Sequence, residues 1–166
     1  GGDTTDGGGD TTGGDIVTDV APTPGAWVGT GFDLTSDECV LGSTLGLTSD
    51  GEQRATLTAT ESGFDLAIWD RVLSFTVSGS EITGASTLTY DFIDGGTVAG
   101  FDVPSGTEAV VTGTATFTGT FASETEASLA MTVVASCGGS ACTVLPPVIP
   151  NPCTTEGTFG ISYAGE

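Results

Sequence analysis

The sequence predicts an all-β protein: an antiparallel meander that closes into a single small β-barrel, with a β-sandwich or jelly roll as the alternative. Three observations lead there. Apolar residues recur at every second position, as in Phe64, Leu66 and Ile68, in Leu73, Phe75 and Val77, in Leu88, Tyr90 and Phe92, and in Leu129, Met131 and Val133. No window longer than a turn shows the helical spacing. Glycine, serine, aspartate and proline fill short gaps between the alternating segments, so neighbouring strands are joined as hairpins. A meander with one apolar face must close or fold over to hide that face and its edges.

The chain opens GGDTTDGGGDTTGGD, without a hydrophobic residue. A segment with nothing to bury cannot offset its ordering entropy, so residues 1–20 are expected to be a flexible acidic tether rich in Gly, Asp and Thr. The β-domain is expected over 21–166. Strands are predicted at 26–34, 40–48, 53–61, 63–69, 72–78, 81–92, 107–121, 127–136 and 154–164, with a short one at 16–20 as a further option. Within the long segment, TGTATFTGTF puts Thr112, Thr114, Thr116, Thr118 and Thr120 on one face. Gly113, Ala115, Phe117, Gly119 and Phe121 take the other, and they are the inward set. Alternating threonines resemble the ice-binding faces of some antifreeze proteins. Those faces need several flat rows in register, and 127–136 offers little beyond Thr132, so the ladder is expected to be a solvated outer face.

Four cysteines, Cys39, Cys137, Cys142 and Cys153, have neither zinc-ribbon nor redox CxxC spacing, and the chain has no histidine. Two disulfides and an oxidising compartment are expected. The connectivity stays open, with a preference for Cys39 joining one of the other three, because the terminal strands of a closed meander are neighbours. CGGSAC and the proline-rich LPPVIPNP mark a stapled C-terminal excursion.

Against 22 acidic residues stand only Arg54 and Arg71, for a formal net charge of −20. Nucleic acid is excluded as a partner, since phosphate binding needs clustered cations. Direct adsorption to anionic lipid is disfavoured for the same reason. Without histidine or lysine there is no Ser-His-Asp triad, Cys-His pair, Schiff base or Ser-Lys dyad. Carboxylate chemistry survives, and Asp65, Asp70, Glu81, Asp91 and Asp94 are the candidates for a glycosidase pair. They sit where a solvated surface also places aspartate and glutamate, so no catalytic residue is assigned. No organic cofactor is implied. Calcium is the metal that this donor set suits, with Asp91 and Asp94 as candidate ligands and Asp33, Asp37 and Glu38 as a second group.

Gly25-Ala26-Trp27 at the start of the first long strand is similar to the GxW that opens lipocalins and related barrels. That resemblance implies an up-and-down barrel with an interior ligand pocket, although the arginine that lipocalins place on the last strand is missing from 154–164. The Gly/Asp/Thr tether ahead of a β-domain resembles the mature N-terminus of a bacterial surface lipoprotein. It implies a lipidated cysteine ahead of Gly1, and a location on the outer surface of the cell envelope or in the periplasm, lipid-anchored or secreted. A monomer is expected.

Three functions follow. The first is a non-catalytic envelope or secreted β-domain that binds a small apolar or carbohydrate ligand. The second is a structural or adhesive surface module without a pocket, and the third a carboxylate-based glycoside hydrolase. An interior lined by small residues such as Gly29, Gly31, Gly42 and Gly46 would favour the first, and a packed interior the second.

Overall fold

The computed structural model describes residues 19–69, 71–93, 97–98, 101–102, 104–144 and 150–165. Its strands are β1 (Gly25–Asp37), β2 (Gln53–Thr60), β3 (Gly63–Ile68), β4 (Arg71–Ser78), β5 (Glu81–Ile93), β6 (Thr97–Val98), β7 (Phe101–Asp102), β8 (Glu108–Ser123), β9 (Glu126–Gly138) and β10 (Cys153–Gly165). Eight of them form one closed antiparallel barrel in the order β1-β10-β9-β8-β5-β4-β3-β2, while β6 and β7 pair only with each other. The ring closes through β1, which pairs with β2 on one side and β10 on the other. The meander predicted from alternation is therefore a barrel, not a sandwich.

Alternation explains the wall. In β3 Phe64, Leu66 and Ile68 are buried, in β4 Leu73, Phe75 and Val77, and in β9 Ala127, Leu129 and Met131. In β8 Ala115, Phe117 and Phe121 are buried while Thr112, Thr114, Thr116, Thr118 and Thr120 are exposed, as the ladder predicts. A bulge lets β1 curl: its register with β10 shifts between Thr30 and Asp33, where Gly31 takes φ 66°.

One predicted strand is absent. Residues 40–48 contain a single helical turn, α1 (Leu41–Leu45), in place of a strand. The carboxylate of Asp37 accepts from the Leu41 N–H at 2.7 Å and the Gly42 N–H at 2.8 Å, satisfying amides that a helix start leaves unpaired. Val40 at φ 60° turns the chain into the helix, and Gly46 at φ 66° ends it. Leu41 and Leu45, four apart, pack on the core, and Leu47 is buried in it. The apolar residues of this stretch thus reach the core by helical rather than strand spacing. Of the short strand considered at 16–20, Asp19 and Val20 are described, and neither is in a strand.

The barrel has two distinct ends. At the turn end, two-residue turns at 61–62, 79–80 and 124–125 join successive strands. Residues 19–24 strap this end: Val20 N–H donates to Gly79 O at 2.8 Å, Gly79 N–H to the Asp19 carboxylate at 2.6 Å, and Thr23 N–H to Glu124 O at 2.9 Å. At the loop end, Trp69 is a turn residue after β3, and the connections 38–52, 94–107 and 139–152 are longer. Both disulfides lie here, Cys39–Cys153 and Cys137–Cys142, so Cys39 does pair with a C-terminal cysteine. The cause is the expected one: Cys39 follows β1, Cys153 opens β10, and the two strands are paired. A 3-10 turn (Ser140–Val144) carries Cys142.

Candidate functional site

The first place to look is the barrel interior. Eight strands leave a lumen just wide enough for side chains to fill, or for one small ligand. Where the described residues line it, side chains fill it. Trp27 is 1% exposed, donates its indole N–H to Thr23 O at 2.8 Å, and meets Phe121 and Tyr163 edge to face. Tyr163, on the last strand, thus packs against the tryptophan of the GxW tripeptide. Phe64 stacks on Phe75 with centroids 4.8 Å apart, Phe117 meets Phe75 at 5.4 Å, and Phe32 stacks on Phe159 at 4.8 Å.

Glycines on the inner face do not hollow the barrel, because neighbouring rings and branches occupy the space they leave. A Cβ on Gly84 would lie 2.6 Å from Cδ1 of Phe75, and one on Gly119 2.7 Å from Cδ2 of Leu129. Of the four glycines named as signs of a hollow interior, only Gly29 lines it, with the Phe32 ring 3.3 Å from where its Cβ would be. Gly31 sits at the bulge, Gly42 in α1 and Gly46 at its end. Among the described residues, Trp27, Leu66, Trp69, Phe117 and Ile161 help to wall a cavity of about 10 Å³. Ligand pockets run to hundreds of cubic ångströms, and this volume is that of a single water.

The loop end is built from side chains that replace backbone partners. Asp37 accepts from α1, as above, and also from the Thr155 hydroxyl at 2.9 Å, and Thr155 is fully buried. Glu38 and Thr154 exchange two bonds of 3.0 Å, the Glu38 N–H donating to Thr154 O and the Thr154 N–H to Oε2 of Glu38. Trp69 donates its indole N–H to Oε1 of Gln53 at 2.7 Å, and Nε2 of Gln53 donates to Leu45 O and Gly46 O at 3.2 Å. Asn151 brackets Cys137, accepting its N–H at 3.0 Å and donating to its carbonyl at 2.8 Å. Trp69 holds φ 52°, a left-handed conformation unfavourable for a bulky residue. It is over-determined by its bond to Gln53 and its packing on the core.

Of the candidate carboxylates, the two whose side chains are described, Asp65 and Glu81, lie apart. Asp65 is half-buried on the outside of β3 between Thr58 and Ser74, whereas Glu81 is exposed at the turn end of β5, opposite Ser78. Asp91 lies in β5 opposite Val110. Asp70 and Asp94 are outside the described residues, and with Asp94 goes half of the candidate calcium pair. In the second group, Asp37 and Glu38 spend oxygens on protein donors. Among the described residues no three His, Cys, Asp or Glu side chains come together as a group that could hold a metal ion.

The outer face carries a pattern that the sequence shows only in part. β5 lays its own threonines beside the ladder: Thr83 pairs with Thr118, Thr87 with Thr114 and Thr89 with Thr112. On the other side Thr116 pairs with Thr132 and Thr120 with Ser128. Rows in register therefore exist, supplied mainly by β5 rather than β9, though on a closed and twisted wall they form no flat lattice. Between Glu81 and Glu126 at one end and Asp91 and Glu108 at the other, the outward positions of β5, β8 and β9 bear no charge. The acidity of the chain lies elsewhere.

No known protein family, curated protein or solved structure matches the chain. Two disulfides are compatible with an extracytoplasmic location. Among the described residues no helix is long and apolar enough to cross a membrane.

Proposed function

We propose that this chain is a non-catalytic β-barrel module of the cell envelope or of the secreted space, structural or adhesive, working through its outer surface. The interior packing of the described residues carries this reading: the cavity that they wall, of about 10 Å³, is too small for the apolar ligand that a hollow barrel of this size would take. The separation of Asp65 from Glu81 and the lack of histidine and lysine support a non-catalytic role. The two disulfides, and the resemblance of the Gly/Asp/Thr tether to surface lipoproteins, support a place outside the cytoplasm, lipid-anchored or secreted. The uncharged threonine face on β5, β8 and β9 is a neutral contact surface on the wall, and it suits an uncharged partner such as a glycan. Native mass spectrometry of protein purified without denaturation tests the reading. The expected mass is that of the oxidised polypeptide and any covalent lipid, and a non-covalently held apolar molecule would overturn it.

A further inference from the structure

Strands β4 and β5 part. Their ladder runs from Ser78–Glu81 to Phe75–Gly84 and stops, although β4 reaches back to Arg71 and β5 runs on to Ile93. The Phe75 ring lies over Gly84 at the fork. On its far side β5 pairs with β8 throughout, Glu81 with Thr120 to Ile93 with Glu108. Among the described residues, then, the β4-facing side of β5 beyond Gly84 has no ladder partner. Alternate N–H and C=O groups point out of the sheet along that stretch.

This edge lacks the devices that usually blunt one. Residues 85–93, ASTLTYDFI, contain no proline, no lysine and a single charge, Asp91. Ala85, Thr87 and Thr89 are exposed and Ser86 is half-buried. β-branched and aromatic residues favour the extended backbone that a newcomer would pair with. An edge of this kind gains main-chain hydrogen bonds by strand addition, and the incoming side chains set the specificity.

Charge selects the occupant. A second copy would bring another −20 to the edge, and antiparallel self-pairing would bring the two Asp91 residues into one ladder. A cationic strand is drawn toward the same field. We propose that the β4-facing edge of β5, from Ala85 onward, takes up an extended lysine- or arginine-bearing segment of another polypeptide as an added strand.

The test uses a synthetic peptide of alternating lysine and valine. Its control is the same sequence methylated on every backbone nitrogen, which keeps the charge and removes the donors. Amide hydrogen exchange of residues 85–89 is the readout. The expected result is slowing, on the order of tenfold, at alternate amides with the first peptide and none with the second, and an effect that weakens as salt rises. Equal effects of the two peptides, or no slowing with either, would overturn the proposal. So would protection of these amides in the protein alone together with a dimeric native mass, which would give the edge to a second copy.

Discussion

At the turn end of the barrel, three two-residue hairpins join strands that are neighbours in the chain, and the 19–24 strap lies across them. At the loop end, Asp37 reaches Thr155, Cys39 reaches Cys153 and Glu38 reaches Thr154, pairs separated by 118, 114 and 116 residues. The hairpins and these three loop-end pairs are contacts of different range. Local turns cost little chain entropy to form, whereas these three loop-end pairs need the first and last strands together before they exist. A covalent link across that span acts on the unfolded chain, which is where the long-range cost lies.

The contrast can be broken at several points. Replacing Cys39 and Cys153 together by serine is expected to have the largest effect, about 5 kcal/mol on the chain-entropy account for a loop of 114 residues. The same change at Cys137 and Cys142, five residues apart, should cost about 2 kcal/mol. Denaturant unfolding of the two variants measures both, and equal losses would contradict the assignment of long-range cost to the loop end. Asp37→Ala removes the acceptor of two α1 amides and of the buried Thr155 hydroxyl, and should cost roughly 1–2 kcal/mol, read from the unfolding midpoint. The smallest effect is expected at the turn end. Asp19→Ala loses one bond to the Gly79 amide, in a strap with other backbone bonds, and should cost about 0.5–1 kcal/mol. A larger loss there than at Asp37 would reverse the ranking of the two ends.

Much of the wall was legible because its information is local. Phe64-Leu66-Ile68 and the TGTATFTGTF ladder announce both strand and facing without any knowledge of neighbours. The 40–48 stretch misled because its apolar residues also fit a strand. What decides it is the Asp37 carboxylate beside the Leu41 and Gly42 amides, and the signals in hand were the Leu41–Leu45 spacing and Gly46. The threonine rows could not be read because β5 and β8 are joined by residues 94–107, and no hairpin turn fixes that register. Interior volume was illegible for a different reason. Whether Gly84 leaves a hole or a seat for the Phe75 ring depends on which residue lies opposite. Trp69 gave no sequence signal of its strained turn.

The two tryptophans of the chain give the asymmetry an optical form. Trp27 lies at the turn end, sealed from water with its indole on Thr23 O, while Trp69 stands at the loop end on Gln53. Each end thus carries its own fluorophore. In Trp69→Phe the emission follows the strap and its neighbours, and in Trp27→Phe it follows α1 and the end of β3. The order in which the two ends let go of the barrel becomes a difference between two colour changes in one titration.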